Sequence, residues 1–340
     1  GRYRELAAAA QDSEEFGISI HRPVFRLIPK IGGRLNPALI ARAVLPLVRR
    51  LHAQNPFDLV DAQFFYPDGP AAMMIARDLG LPFTVKARGS DIHHWGARRY
   101  GRDALLKTAR AASGVLAVCK ALADDMAMLG MEREKIRVHY TGLDRDLFRP
   151  MDHAGLRARL AQTFDVPLTN DDLLLVTVGA LIERKGQALV IKALAHLPKG
   201  RLLLIGKGED RASLLALARD VGVADRVHML GSLDPAVLPP LLSAADAMVL
   251  PSASEGLANA WIEALACGTP IVITDAGGAR EVVTTPDAGV IVARNCRAVR
   301  EGIELVTARP RSPEKVAAAV DEFSWAANGK ALAAYYDTLV

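Results

Sequence analysis

Short apolar runs recur along this chain and are separated by longer segments in which leucine and alanine repeat at helical spacing. Residues 173–178, 247–250 and 271–274 are apolar runs of strand length, and residues 187–197 are typical of a helix. Regular alternation of buried strands and helices predicts parallel sheets in an α/β fold. The other predicted strands are 58–61, 82–86, 114–118, 136–139, 201–205, 227–230 and 289–292, and the other predicted helices are 37–54, 70–79, 103–112, 120–129, 211–221 and 326–340.

The pattern changes between residues 149 and 171, where a proline-containing, polar segment interrupts the alternation. A chain of 340 residues is natural for two domains. We therefore predict a first domain over residues 1–150, a second over 151–323, and a last helical segment over 324–340. Two similar α/β halves joined by a linker form a cleft, which is a common ligand site.

The most informative stretch is residues 251–270, which connects the predicted strands 247–250 and 271–274. It contains Glu255 in a loop and Glu263 in a helix that begins near Asn259 and ends before Gly268 and Pro270. Ligands of open parallel sheets bind at the carboxyl ends of the strands. A carboxylate can accept hydrogen bonds from two sugar hydroxyls. Free backbone N–H groups at the start of a helix can donate hydrogen bonds to a phosphate. Two glutamates at this spacing also occur on solvated helices.

Further motifs surround this stretch in a recognisable order. Residues 178–186 (VGALIERKG), 204–208 (LIGKG) and 226–231 (RVHMLG) lie in the second half, and residues 87–91 (ARGSD) and 142–144 (GLD) in the first. Together with Glu-Gly, Glu-Ala and Cys-Gly-Thr-Pro in residues 251–270, they resemble retaining glycosyltransferases of family 4. That resemblance covers nearly the whole chain and implies the GT-B fold, two Rossmann-like doubly wound parallel-sheet domains facing a cleft.

The resemblance implies that the second domain binds a nucleotide-sugar donor. Arg184 and Lys185 would neutralise the diphosphate, Glu263 would bind the ribose hydroxyls, and Glu255 would hold and stabilise the transferred sugar as a catalytic residue, though not as a nucleophile. Gly179 would let the donor approach the sheet closely. The remaining donor contacts implied are Ser232 and Leu233 at the base, and the backbone of Gly256, Leu257, Ala258 and Asn259. Gly277 and Gly278 resemble a second loop of close approach.

Acceptor contacts are expected from the first domain. Tyr66 and Asp68 lie in a loop that faces the cleft in this family, and Asp68 reads equally well as a helix cap. Arg88 and Gly89 belong to a turn in which the arginine fork suits a phosphate or carboxylate. Asp91 is the second catalytic candidate, because its carboxylate can accept a hydrogen bond from a hydroxyl of the acceptor. The alternative for this turn is a structural Arg–Asp pair.

Charge is uneven along the chain. Residues 1–150 carry 23 Lys+Arg and 16 Asp+Glu, and the remainder carries 19 and 22. The basic half suits anionic lipid headgroups or a phosphate-bearing acceptor, and ordinary solvated arginine is the alternative. Nucleic acid is not expected as a partner, since no motif for it is present. The basic residues considered are Arg22, Arg26, Lys30, Arg34, Arg49, Arg50, Arg98, Arg99 and Arg102.

Three widely spaced cysteines, no run of about 20 apolar residues and no signal peptide indicate a cytoplasmic protein, with peripheral contact at the inner face of the membrane as an option. No metal or cofactor is expected, because arginine, lysine and backbone groups can meet the donor phosphates and adjacent His93 and His94 lack a third ligand.

The chain begins without methionine, and the family's usual first strand and glycine-rich loop are not found; a fragment, a shortened chain and an unusual member all remain open.

The function implied is transfer of a sugar from a nucleotide-diphosphate sugar, with UDP as the commonest nucleotide, to a glycan or glycolipid hydroxyl in cell-surface polysaccharide or glycolipid biosynthesis. Two alternatives stay open: a catalytically silent GT-B binding protein and a nucleotide-sugar epimerase of the same fold.

Overall fold

The computed structural model describes residues 11–25, 32–152 and 155–340. Its chain divides into two compact units. Unit 1 comprises residues 1–118, 123–138 and 333–340, and unit 2 comprises residues 119–122 and 139–332. These units differ from the predicted boundaries at three places: residues 119–122 and 139–150 group with unit 2, and the last helical segment is shared between the units. Two of the basic residues named above, Arg26 and Lys30, lie outside the described part.

Unit 1 contains a four-stranded parallel sheet in the order β3-β4-β5-β6. Its strands are β3 (Val60–Ala62), β4 (Phe83–Ala87), β5 (Gly114–Ala117) and β6 (Ile136–Val138). Every residue of β4 and β5 is buried, as expected for central strands covered on both faces. A separate antiparallel hairpin precedes the sheet, with β1 at Ser13–Glu15 and β2 at Ile18–Ile20.

The helices of unit 1 follow the strands as the alternation predicted. Helix Asn36–Gln54 packs on helix Asp68–Leu79 through a small apolar cluster that includes Ala41, Ala71 and Ile75. Gly80 ends the second helix in the left-handed conformation, which glycine adopts at little cost. The other helices among the described residues before residue 130 are Ser90–Gly96, Arg99–Ala111 and Lys120–Leu129.

Unit 2 contains a six-stranded parallel sheet in the order β12-β11-β10-β7-β8-β9. β7 (Leu173–Val178) is central and pairs in parallel with β8 (Gly200–Ile205) and β10 (Ala247–Leu250). β11 (Ile271–Thr274) and β12 (Gly289–Val292) extend the sheet on one side, and β9 (Val227–Gly231) forms the other edge. Because every pair is parallel, the loops after β7, β10, β11 and β12 all emerge at the same end of the sheet.

Nineteen of the described buried residues form one core cluster of unit 2, between the sheet and its helices. Leu175, Leu202 and Val249 contribute to it from adjacent strands, and Ile191 and Ile303 contribute from helices. The helices of this part of the chain are Leu156–Phe164, Gln187–Leu194, Arg211–Asp220, Leu238–Ala244, Asn259–Ala266, Ala279–Val282, Cys296–Thr307, Pro313–Ala317 and Trp325–Tyr336.

Cys119 and Cys267 are buried and Cys296 is half-buried, and all three are free thiols. Within the described ranges, no helix has the length and apolar character that crossing a membrane requires.

Candidate active site

Two cations and a carboxylate meet at the carboxyl end of the sheet in unit 2. Arg184 and Lys185 lie in the 3-10 turn Glu183–Lys185, shortly after β7, and Glu255 lies in the loop after β10. Lys185 Nζ is 2.6 Å from Glu255 Oε1, and Arg184 Nη1 is 3.6 Å from Glu255 Oε2. The Glu255 side chain is only 8% exposed and that of Lys185 14%. Three residues that the sequence analysis assigned to a donor site are thus brought together.

The two loops that carry this cluster also bond to each other through their backbones. Ala253 N–H donates to the Arg184 carbonyl at 2.8 Å, and the Arg184 guanidinium donates to the Ser254 carbonyl. A Cβ on Gly186 would lie 2.4 Å from the Pro251 carbonyl oxygen, so only glycine fits where the loops cross. The turn and the Glu255 loop therefore form one connected structure.

Glu263 lies on the helix Asn259–Ala266, one turn below its start, and is half-buried. Burial raises the pKa of Glu263 to about 7. Just before this helix the chain buries Gly256, Leu257 and Ala258, while Asn259 is exposed. No side chain caps this helix, and the Trp261 N–H donates to the Ala258 carbonyl at 3.0 Å. The helix start, at Asn259 and Ala260, therefore suits an anion.

Gly277 and Gly278 approach a backbone closely, as predicted, but the partner is the protein's own Glu255 loop. Gly278 N–H donates to the Gly256 carbonyl at 2.7 Å. A Cβ on Gly277, whose φ is +52°, would lie 2.2 Å from the Gly256 oxygen. This loop therefore supports the Glu255 loop from the β11 side.

The remaining donor candidates lie at different distances along the sheet. Gly179 directly follows the central strand β7. Ser232 and Leu233 follow β9, the edge strand, and are exposed and half-buried respectively. The sheet order separates them from β7 by one strand, β8, so they are placed further from the cations than Gly179.

Asp91 of unit 1 is fully buried, and its carboxylate is occupied by backbone donors. It accepts from the N–H groups of Phe65 at 2.7 Å, Arg88 at 3.0 Å and Gly89 at 2.8 Å. Burial raises the pKa of Asp91, and these hydrogen bonds oppose the rise. Asp91 therefore joins two loops through its hydrogen bonds. Its contact with an acceptor hydroxyl stays a prediction.

The alternative for this turn, a structural Arg88–Asp91 side-chain pair, is wrong. The guanidinium of Arg88 bonds instead to Gln63, with Nη2 2.7 Å from Oε1 and Nε 3.1 Å from the backbone oxygen. Only the backbone N–H of Arg88 reaches Asp91. Gln63 is a partner that the sequence analysis missed, although it follows β3 as Arg88 follows β4, which is the signal that could have found it. Gly89 has φ +115°, a conformation that favours glycine.

Tyr66 and Asp68 differ from each other in accessibility. Tyr66 is 1% exposed, its hydroxyl donates to the Gly33 carbonyl at 2.5 Å, and its ring packs on Trp95 at 4.6 Å. A direct acceptor contact by Tyr66 is therefore not supported in this conformation. Asp68 is exposed and is the first residue of the helix Asp68–Leu79, with Pro67 at the cap position. Desolvation and the charge of Asp91 raise the pKa of Asp68.

Within the part of the chain that the structure describes, no group of three or more His, Cys, Asp or Glu side chains is arranged to hold a metal ion. His93 Nε2 lies 2.9 Å from Asp125 Oδ2, so this histidine has a partner in unit 1.

The sequence matches two family models. Residues 159–322 match Glycosyl transferases group 1, and residues 4–147 match Glycosyltransferase Family 4. Together the matches extend over most of the chain. The chain belongs to the group 1, family 4 glycosyltransferases, which confirms the resemblance stated above, and it is a transferase enzyme with the GT-B fold.

Individual relatives agree with this assignment. A putative teichuronic acid biosynthesis glycosyltransferase of Bacillus subtilis is 27% identical over 310 residues, which are 88% of this chain and 74% of that protein. A lipopolysaccharide core biosynthesis glycosyltransferase of Rhizobium meliloti is 36% identical over 173 residues, 50% of this chain and 46% of its own. The chain thus spans under half the length of this second relative. The named relatives function in polysaccharide biosynthesis.

Solved structures share the fold. A sucrose-phosphate synthase from Thermosynechococcus elongatus superposes with a TM-score of 0.81 at 22% identity, covering 96% of this chain and 84% of the other. HepE of Anabaena, solved in complex with UDP-glucose, superposes with a TM-score of 0.75 at 22% identity, covering 99% and 89%.

Proposed function

We propose that this protein is a retaining glycosyltransferase that moves a sugar from a nucleotide-diphosphate sugar, with UDP as the nucleotide, to a hydroxyl of a glycan or lipid-linked acceptor. The observation that carries the proposal is the cluster of Arg184, Lys185 and Glu255, in which two cations flank a buried carboxylate at the carboxyl end of a parallel sheet. The UDP complexes of HepE support the choice of nucleotide.

The proposed chemistry begins with the diphosphate. Arg184 and Lys185 bind its oxygens, and their attraction grows as the bond to the sugar breaks and negative charge moves onto the leaving group. Glu255 accepts hydrogen bonds from hydroxyls of the transferred sugar and stabilises positive charge at the anomeric carbon. The acceptor attacks from the same face, and a phosphate oxygen of the leaving nucleotide takes the acceptor's proton. This route requires no nucleophile from the protein.

Glu255 is a poor candidate for a nucleophile in this arrangement. Its two oxygens face Lys185 and Arg184 at 2.6 and 3.6 Å, so both oxygens are engaged by cations and are not free to attack carbon. A positioning and charge-stabilising role suits a carboxylate held in this way. Phosphate binding by side chains and backbone N–H groups would make the transfer independent of metal.

Acceptor and location complete the proposal. We place the reaction in the assembly of cell-surface polysaccharide or glycolipid, in line with the named relatives. The basic residues of the first half, such as Arg49, Arg50 and Arg102, suit peripheral contact with an anionic membrane at the cytoplasmic face.

The test is isothermal titration of UDP, GDP, ADP and their sugar derivatives against the wild type and Glu263→Ala. One nucleotide should bind the wild type. Glu263→Ala should lower the affinity for that nucleotide about tenfold or more, since two ribose hydroxyls lose their hydrogen-bond acceptor. Arg280→Ala, an exposed arginine paired with Asp275, is the control and should bind normally. Failure of every nucleotide to bind a folded wild type would refute the proposal. Binding without transfer would favour a silent binding protein, and conversion of the sugar without release of the nucleoside diphosphate would favour an epimerase.

A further inference from the structure

Arg294 stands where the chain leaves β12, two strands away from β10. Its side chain reaches back along the carboxyl edge of the sheet to both loops of the charged cluster. Arg294 Nε donates to the Pro251 carbonyl at 3.2 Å, and Nη2 donates to the Glu183 carbonyl at 2.9 Å. One guanidinium therefore joins the loop after β10 to the turn after β7.

Both carbonyls belong to residues next to the proposed donor contacts. Pro251 begins the loop that contains Glu255, and Glu183 begins the 3-10 turn that ends at Lys185. A shift of either carbonyl would move the attached loop and change the 2.6 Å approach of Lys185 to Glu255. Arg294 itself touches none of the three cluster side chains in these contacts.

The shape of the guanidinium suits this position. It is planar and presents several N–H donors in fixed directions, so it can hold two carbonyls at a set separation. A lysine ammonium is a single point of donation on a flexible stem and cannot reproduce that fork. Both carbonyls come from loops rather than from strands, and loops gain most from such a tie.

We propose that Arg294 is a positioning residue of the donor site, which holds the Arg184–Lys185 turn and the Glu255 loop in the arrangement that binds the diphosphate of the donor. This inference rests on the proposed function, because it concerns the same site. It adds a residue outside the motifs that carry the family resemblance. Its effect on the ligand is exerted through the two loops.

Loss of Arg294 should affect the binding of a nucleoside diphosphate more than the binding of a monophosphate. If the turn is held by Arg294, removing the tie leaves Arg184 and Lys185 to be ordered by the ligand, and that ordering weakens binding. A nucleoside monophosphate depends less on these two cations. Removal of Arg294 should therefore lower the affinity for a nucleoside diphosphate by about tenfold. The affinity for the corresponding monophosphate should fall by less than about twofold. A purely structural role would weaken both alike or neither.

The experiment is isothermal titration of UDP, GDP and ADP, and of the monophosphate of whichever binds the wild type, against Arg294→Ala, Arg294→Lys and Arg297→Ala. Arg297 is the matched control, since it is an exposed arginine three positions further on and bonds to Glu301 instead of a loop. We expect Arg294→Ala to lose diphosphate affinity selectively, Arg294→Lys to recover only part of it, and Arg297→Ala to match the wild type.

The outcomes separate the two proposals. If the wild type binds a diphosphate and Arg294→Ala binds it equally well, or loses mono- and diphosphate affinity equally, the positioning role is overturned and the proposed function stands. If the folded wild type binds none of the three diphosphates, the proposed function fails and this inference fails with it. Thermal unfolding of each variant shows that it is folded at the temperature of titration.

Discussion

Lys185 provides the nearer of the two cations beside Glu255, and its own side chain is largely buried. Replacing it by alanine leaves a buried carboxylate with only Arg184 as a neighbour, which should lower the free energy of unfolding by about 2 kcal/mol. The same change should weaken nucleoside diphosphate binding by at least about tenfold, since a charge-assisted contact is lost. Urea unfolding and titration of UDP would measure the two effects. Exposed Lys192, on the helix Gln187–Leu194, is the control, and an equal effect of Lys192→Ala would contradict the prediction.

Glu263 should make stability depend on pH. Its pKa is raised by burial from 4.5 to about 7, so the folded state binds the proton more tightly than the unfolded state. The stabilising contribution is fully present below pH 4.5 and is lost as the pH rises through 7. Between pH 4 and pH 8 the free energy of unfolding of the wild type relative to Glu263→Gln should fall by on the order of 2 kcal/mol. Urea unfolding at both pH values measures it, and a constant difference would show that the carboxyl does not titrate in this range.

A substitution at Asp91 distinguishes a structural role of this residue from a catalytic one. Asp91→Asn replaces one acceptor oxygen by an NH2 group, which cannot accept from the N–H groups of Phe65, Arg88 or Gly89. We expect the free energy of unfolding to fall by about 2–3 kcal/mol, which urea unfolding would show. Asp78→Asn is the control, because Asp78 pairs with Arg49 on the surface. An unchanged stability together with lost transfer would instead assign Asp91 to the chemistry.

Side-chain partners are the part of the site that the sequence could not supply. The family resemblance assigned Arg184, Lys185 and Glu255 to one site, and they lie together because each follows a strand and parallel strands end at one edge. The alternative partner considered for Arg88, the Asp91 carboxylate, was wrong, because an arginine can reach several loops and spacing does not record its direction. Arg294 was missed for the same reason: it lies over 40 residues from Pro251 in the sequence.

Elements were predictable because their boundaries coincide with strong local signals. Strands β7, β10, β11 and β12 have the predicted limits. The first three are compact apolar runs bounded by polar, glycine or proline residues, and β12 itself begins with Gly289. The helix Arg99–Ala111 begins four residues before its predicted start, at a basic segment whose polarity conceals the helical period. The turn around Asp91 is already part of the helix Ser90–Gly96, which tertiary hydrogen bonds to Asp91 stabilise.

The loop after β11 allows close contact to be distinguished from backbone strain. Gly277→Ala would place a Cβ 2.2 Å from the Gly256 carbonyl oxygen, whereas Gly222→Ala, at a similar positive φ, would meet nothing within 4 Å. Gly222→Ala should cost about 1 kcal/mol from backbone strain alone. Gly277→Ala should cost at least about 2 kcal/mol more, and it should weaken nucleotide binding by displacing the Glu255 loop. Urea unfolding and UDP titration measure these quantities; equal costs for the two variants would refute the role of close contact.

The two units are not continuous in sequence. Unit 1 includes residues 333–340 from the end of the chain, and unit 2 includes residues 119–122 from within the first half. In unit 1, the Arg137 guanidinium lies 4.5 Å from the centre of the Tyr335 ring. The sequence analysis predicted a last helical segment over residues 324–340, and its final residues, 333–340, group with unit 1. It could not find the exchange of residues 119–122, which depends on tertiary contacts rather than on any local pattern.

This division predicts that stability and nucleotide binding respond separately to a change at the chain end. Tyr335→Ala removes a half-buried ring from unit 1 and its contact with Arg137, so the free energy of unfolding should fall by about 1–3 kcal/mol. Arg184, Lys185, Glu255 and Glu263 all belong to unit 2. The dissociation constant for UDP should therefore stay within about twofold of the wild-type value at a temperature where the variant is folded. Exposed Asp337→Asn is the control for both measurements. A loss of UDP affinity that accompanies the loss of stability would mean that the donor site depends on unit 1.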